Sequence, residues 1–136
     1  MNQMPDIPHI VNQPGLFSTE NHIHITVARA DYAEGQLEVC STSLNPLGTV
    51  HGGCLYTLAD TVAGTAAIAF KGKRCVTVNS SMEFLRPATG GVIRCTATPK
   101  KAGRTLSVIQ VQLHDEGETL VATGTFTFYL FDPKED

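Results

Sequence analysis

Residues 53–70, "GCLYTLADTVAGTAAIAF", restrict the fold more than any other stretch. Leu55, Leu58, Val62 and Ala66 recur at helical spacing, and Ala59, Ala63, Ala67 and Ala69 fill in around them. A helix that is apolar nearly all round must be covered on most sides. Its small side chains let it lie very close to a sheet, although Gly64 costs about 1 kcal/mol against alanine in a helix interior. The rest of the chain alternates with a period of two. Strands are expected over 22–30 and 35–43, joined by a hairpin turn at "DYAEG", and then over 75–85, 91–99, 105–115 and 119–131. Two strands, one helix and four strands with short turns require antiparallel pairing. The expectation is an α+β fold in which a sheet of five to six strands curls around one long central helix. One domain over 18–136 suits 136 residues, with the proline-bearing segment 1–17 as an N-terminal tail or cap.

Several function classes are set aside early. A net charge of −3 argues against nucleic acid as the main partner. The longest weakly polar run, "TVAGTAAIAF", is far shorter than the roughly 20 residues a bilayer span needs. The acidic, proline-bearing start "MNQMPDIPHI" is no secretory signal. Cys40, Cys54, Cys75 and Cys95 form no paired motif, which suits reduced thiols in the cytoplasm. His22 and His24 share a strand face without a third ligand, so no metal site is expected.

Asp60 is the one residue that does not belong in a buried helix. Between Gly53 and Phe70 it is the only ionisable group besides Cys54 and Tyr56. An unpartnered carboxylate in an apolar setting costs several kcal/mol, so it faces either solvent or a cleft in which it serves as base or nucleophile. Upstream, "HGG" at 51–53 opens the helix. Free N–H groups and the positive end of the helix dipole there make an oxyanion site, and glycine lets a carbonyl come close. Asp60 lies eight residues beyond Gly52, roughly 12 Å along the axis at about 1.5 Å per residue. A base acting through one water should be nearer, on the order of 7–8 Å. A two-fold dimer with antiparallel central helices would instead set Asp60 of one subunit beside Gly52 of the other.

The run "NPLGTVHGGCLYTLAD", followed by "VTVNSSMEFLRPA" and a "GR" before another strand, resembles the hotdog-fold acyl-CoA thioesterases, in particular their phenylacetate-degradation branch. The resemblance covers residues from about 20 to 131. It implies hydrolysis of an acyl-CoA thioester to a free acid and coenzyme A, by a homodimer or a dimer of dimers, with no cofactor beyond the coenzyme A of the substrate. It further implies that the Gly52 N–H polarises the carbonyl, with Asp60 of the partner subunit as base or nucleophile. Asn45 would orient the carbonyl or the water, His51 would steady the loop, and Thr77 would supply a hydroxyl that positions water. Gly53 would lie against the substrate, and Tyr56, Met82, Phe84 and the tail would shape the acyl pocket. A Cys54–His51 pair is a rival nucleophile on chemistry alone, but the corresponding position is not catalytic in the resembling family.

The turn "PKKAGR" gathers Lys100, Lys101 and Arg104, which with Arg86 suit the phosphates of coenzyme A or else are simply solvated. Two other readings stay open: a hydratase or dehydratase on the same fold, and an acyl-CoA-binding module without turnover.

Overall fold

The computed structural model describes residues 7–133. Two short helices, α1 (Ile7–Val11) and α2 (Phe17–Glu20), precede strands β1 (Ile23–Arg29) and β2 (Tyr32–Glu38). The long helix α3 (Gly52–Ile68) comes next, and then β3 (Arg74–Phe84), β4 (Val92–Ala102), β5 (Leu106–His114) and β6 (Leu120–Phe131). The six strands form one antiparallel sheet in the order β1-β2-β4-β5-β6-β3. The sheet wraps α3, whose Leu55, Leu58, Ala59, Val62, Ala63 and Ala66 are buried against Ile93, Val111, Phe126 and their neighbours.

Helix and sheet pack unusually close. Gly35 lies inside β2, where an added Cβ would come within 2.7 Å of Val62 Cγ2. That glycine was expected to close a hairpin turn, and the expectation fails. The turn is the two-residue link Ala30-Asp31, with Asp31 itself at φ 60° and its carboxylate paired with Lys71. Asp tolerates the left-handed region, so the glycine is free to serve packing instead. The expected strand 35–43 also ends early. Ser41–Ser43 form a 3₁₀ turn, in which the Ser43 hydroxyl accepts the Cys40 N–H at 3.2 Å.

Of the expected tail 1–17, residues 1–6 lie outside the described part. The remainder is anchored to the sheet. Ile7 is buried, and the Asn12 carboxamide makes both backbone hydrogen bonds of Ile25, donating to its O at 2.9 Å and accepting its N–H at 2.8 Å.

β3 is a rim strand and carries a bulge at Val78, between the pairs Thr77↔Phe128 and Asn79↔Thr127. An extra residue reverses the side-chain phase of the strand beyond it. Cys75 and Thr77 before it, and Ser80 and Phe84 after it, therefore all meet α3. Cys75 Sγ reaches Gly64 O, Thr77 reaches Asp60, Ser80 reaches Tyr56, and the Phe84 ring stands over Gly52.

Candidate active site

The front of α3 is capped by His51, whose imidazole Nδ1 accepts the Gly53 N–H at 2.8 Å. The Cys54 and Leu55 N–H groups are taken by His51 O. Gly53 is therefore an engaged donor. The Gly52 N–H has no hydrogen-bond partner among the described residues, and it is the first-turn group available to a ligand.

Gly52 lines a cavity of about 360 Å³ with Asn45, Phe84 and Arg86. The Asn45 side-chain oxygen accepts the backbone N–H groups of Leu47 and Thr49 at 3.0 and 3.1 Å, and its amide donates to Thr49 Oγ1 at 2.8 Å. One amide hydrogen is left over. Arg86 is exposed and donates from its guanidinium to Leu120 O at 2.9 Å.

Asp60 is half-buried on the face of α3 turned toward β3. One carboxylate oxygen accepts the Thr77 hydroxyl at 2.7 Å, and the other has no hydrogen-bond partner among the described residues. The nearby Thr57 and Thr61 hydroxyls donate to helix carbonyls, Gly53 O and Thr57 O. Thr77 is thus the side chain that fixes the acid. Asp60 opens onto a cavity of about 530 Å³ with Phe17, Ser18, Tyr56, Thr57, Thr77 and Ser80. A second, more apolar cavity of about 260 Å³ adjoins it. Sequence reasoning missed Ser80, whose hydroxyl lies 2.6 Å from Tyr56 OH, because nothing in "VTVNSSMEF" announces the bulge that turns it inward.

Asp60 and Gly52 thus line different cavities of one chain, roughly 12 Å apart along the helix at its regular rise. The basic residues lie elsewhere again. Lys100 and Lys101 lie near the end of β4, Arg104 lies in the turn beyond, and all three are exposed, lining none of these cavities. Register relates them to the acid: Thr77 pairs with Phe128, Phe128 with Ser107 and Ser107 with Ala102. The basic turn therefore sits on the sheet row of Thr77, the residue that holds Asp60.

The cysteines differ sharply. Burial raises the Cys54 thiol above its ordinary value despite a hydrogen bond from Ser43, which disfavours it as a nucleophile. Burial, and then the Asp60 charge, push Cys75 up to about 11. Hydrogen bonds from Thr42 and Ser43 lower Cys40. Among the described residues no three His, Cys, Asp or Glu side chains gather as a metal ion would need, and no helix is long and apolar enough to cross a membrane.

The chain matches the thioesterase superfamily over residues 47–122. A Mycobacterium tuberculosis protein carrying the provisional name of esterase is 31% identical over 129 residues, covering 91% of this chain and 92% of the relative. A Streptococcus mutans protein solved bound to acetyl CoA superposes with a TM-score of 0.79 at 27% identity, over 90% of this chain and 98% of that one. The Escherichia coli PaaI protein, from the phenylacetic acid degradation operon, shares the fold with a TM-score of 0.85 at 23% identity, over 93% and 91% of the two chains.

Proposed function

The chain belongs to the thioesterase superfamily, has its hotdog fold and is a thioester hydrolase, and on that premise we propose that it splits an acyl-CoA into a free carboxylic acid and coenzyme A at a site shared by two copies. The observation that carries the shared site is the separation of its two working groups. A carboxylate with one unclaimed oxygen opens onto one cavity, and an unclaimed helix-start N–H opens onto another.

The rim strand β3 supports the pairing. Among the described residues its outer edge has no strand beside it, and its Val76 and Val78 are 51% and 55% exposed. An open apolar edge of this kind invites a second strand. A copy of β3 running antiparallel across a two-fold axis would bring Asp60 opposite the partner's Gly52.

The hydrogen bonds define the roles. The Gly52 N–H takes the carbonyl oxygen as charge builds on it, the kind of contact that contributes most in acyl transfer. Asn45, with its oxygen saturated, can only donate, so its spare amide hydrogen joins Gly52 on that oxygen rather than holding a water by acceptance. The free oxygen of Asp60 takes a proton from the attacking water or attacks the carbonyl itself. Thr77 locks the acid's orientation. His51 keeps the helix start in place by binding Gly53. A thiol leaving group with a pKa near ~8.5, taking cysteine as guide, departs without a strong acid. Tyr56 and Gly53 border the substrate. Arg86, in the Gly52 cavity, and Lys100, Lys101 and Arg104 meet the coenzyme A phosphates. The wider setting we propose is a cytoplasmic homodimer, further paired into a dimer of dimers, with no cofactor beyond coenzyme A.

A hydratase would want a histidine beside the acid. His51 instead uses its Nδ1 to accept the Gly53 N–H as the cap of α3. Thiol release from acyl-CoAs, wild type beside Asp60→Asn, tests the reading. We expect turnover to fall by about 10²–10⁴-fold in a folded variant. Unchanged turnover would remove Asp60 from the chemistry.

A further inference from the structure

Resting on the thioesterase reading, we propose that Asp60 marks the boundary between the two halves of the substrate, and that the apolar cavity behind it takes a medium-length acyl group, with octanoyl as the test case. The two cavities at Asp60 share Ser18, Asp60, Thr61 and Thr77, so they meet at the carboxylate. Beyond that boundary their walls differ in kind. The larger adds Tyr56, Thr57 and Ser80, three hydroxyl-bearing residues, together with Phe17. The smaller adds Val11, Leu16, Gly64, Ile68, Cys75 and Phe128, with Thr65 the one hydroxyl-bearing residue among its additions.

A thioester with its carbonyl carbon at Asp60 extends an amide-bearing arm one way and a hydrocarbon the other. The hydroxyl-lined side can satisfy amides, and the apolar side gains from covering hydrocarbon. Size then sets a limit. A space of about 260 Å³ is a small multiple of the roughly 30 Å³ share of one water in the liquid, which suits a medium-length chain rather than a long one.

Two features keep this space open. Gly64 leaves helix surface bare where an added Cβ would sit 3.4 Å from Phe128 Cε1 and 3.8 Å from Cys75 Sγ, ordinary contacts that a methyl group would satisfy. Alanine there would favour the helix by about 1 kcal/mol, so the sequence keeps room in place of stability. The opposite wall comes from the N-terminal segment. Asn12 pins it to Ile25, beside the register shift in β1, and the Thr19 hydroxyl accepts the Leu16 N–H at 3.2 Å while donating to Gln13 O at 2.8 Å. Val11 and Leu16 are thereby held across the cavity from Gly64 and Ile68. The segment is then part of what selects the acyl group.

The test compares kcat/KM for acetyl-, octanoyl- and palmitoyl-CoA in wild type, Gly64→Ala and Leu16→Ala, each checked for a cooperative melt. Octanoyl-CoA should be preferred by the wild type. Gly64→Ala should lower the octanoyl-to-acetyl ratio at least about tenfold while melting at or above wild type, and Leu16→Ala should raise the palmitoyl-to-octanoyl ratio. A second readout needs no turnover: free octanoate should raise the wild-type Tm and fail to raise that of Gly64→Ala. If octanoate binds in this way but no acyl-CoA is hydrolysed, the cavity assignment stands and the thioesterase reading falls. Hydrolysis with ratios unmoved in folded Gly64→Ala, or octanoate without effect on the wild-type Tm, overturns the cavity assignment.

Discussion

The Thr77 hydroxyl lies 2.7 Å from the Asp60 carboxylate and ties the rim strand β3 to the middle of α3. It makes the one side-chain hydrogen bond to the acid among the described residues, and it leaves the acid's second oxygen open to the cavity.

Removing that hydroxyl while keeping its shape should therefore cost rate more than binding. Thr77→Val should lower kcat about tenfold, the equivalent of one hydrogen bond to a charged group, with KM little changed. Thr77→Ser should retain most of the activity. Steady-state kinetics on the two variants check this. Equal loss in both would assign Thr77 to packing.

His51 caps α3 by accepting the Gly53 N–H. His51→Ala should cost about 1 kcal/mol of stability, as caps do, and lower Tm by about 3–6 °C. Activity should fall as well, because the freed Gly53 loosens the Gly52 turn. Thermal melts beside turnover numbers decide it, and a full-strength Tm would show that the cap contributes nothing.

Cys75 gives a pH signature that involves the acid itself. Its folded value, about 11 against an ordinary 9.0, lies above the unfolded one, so the protonated thiol favours the native state. That contribution is complete below about pH 9 and is lost as pH rises toward about 11. Because the Asp60 charge is the second cause after burial, Asp60→Asn should move the alkylation profile of Cys75 to lower pH. Iodoacetamide labelling read by mass spectrometry measures it, with Cys40 labelling first in both proteins. An unmoved profile would mean that no negative charge at Asp60 reaches Cys75.

The basic turn makes a salt-dependent prediction. Lys101→Ala with Arg104→Ala should raise KM for acyl-CoA several-fold at low salt and less at high salt. A KM that stays put would leave those exposed side chains as solvated residues only.

Much of this arrangement is legible in the sequence. Helical spacing of Leu55, Leu58, Val62 and Ala66 marks α3, and one acid among alanines stands out as a candidate site residue, because apolar periodicity is a strong local signal. What stays hidden depends on contacts between elements. Gly35 looks like a turn glycine until Val62 is placed 2.7 Å from where its Cβ would be. Ser80 and Phe84 join Thr77 on one face only because Val78 bulges, and a bulge leaves no mark in the alternation. Likewise, Asn12 in a proline-bearing stretch suggests a tail, since its two bonds go to Ile25, thirteen residues on.

The shared site itself can be tested by mixing two disabled chains. Gly52→Pro deletes the unclaimed N–H at the first helical position, where proline is well tolerated and His51 already has an extended backbone. Asp60→Asn disables the acid. Each homo-oligomer should be inactive, whereas subunits mixed one to one by reversible denaturation should recover about a quarter of wild-type thiol release, because every mixed dimer rebuilds one intact site. No recovery, with mixed dimers demonstrated by mass spectrometry, would place Asp60 and Gly52 of the same chain in one site and contradict the account.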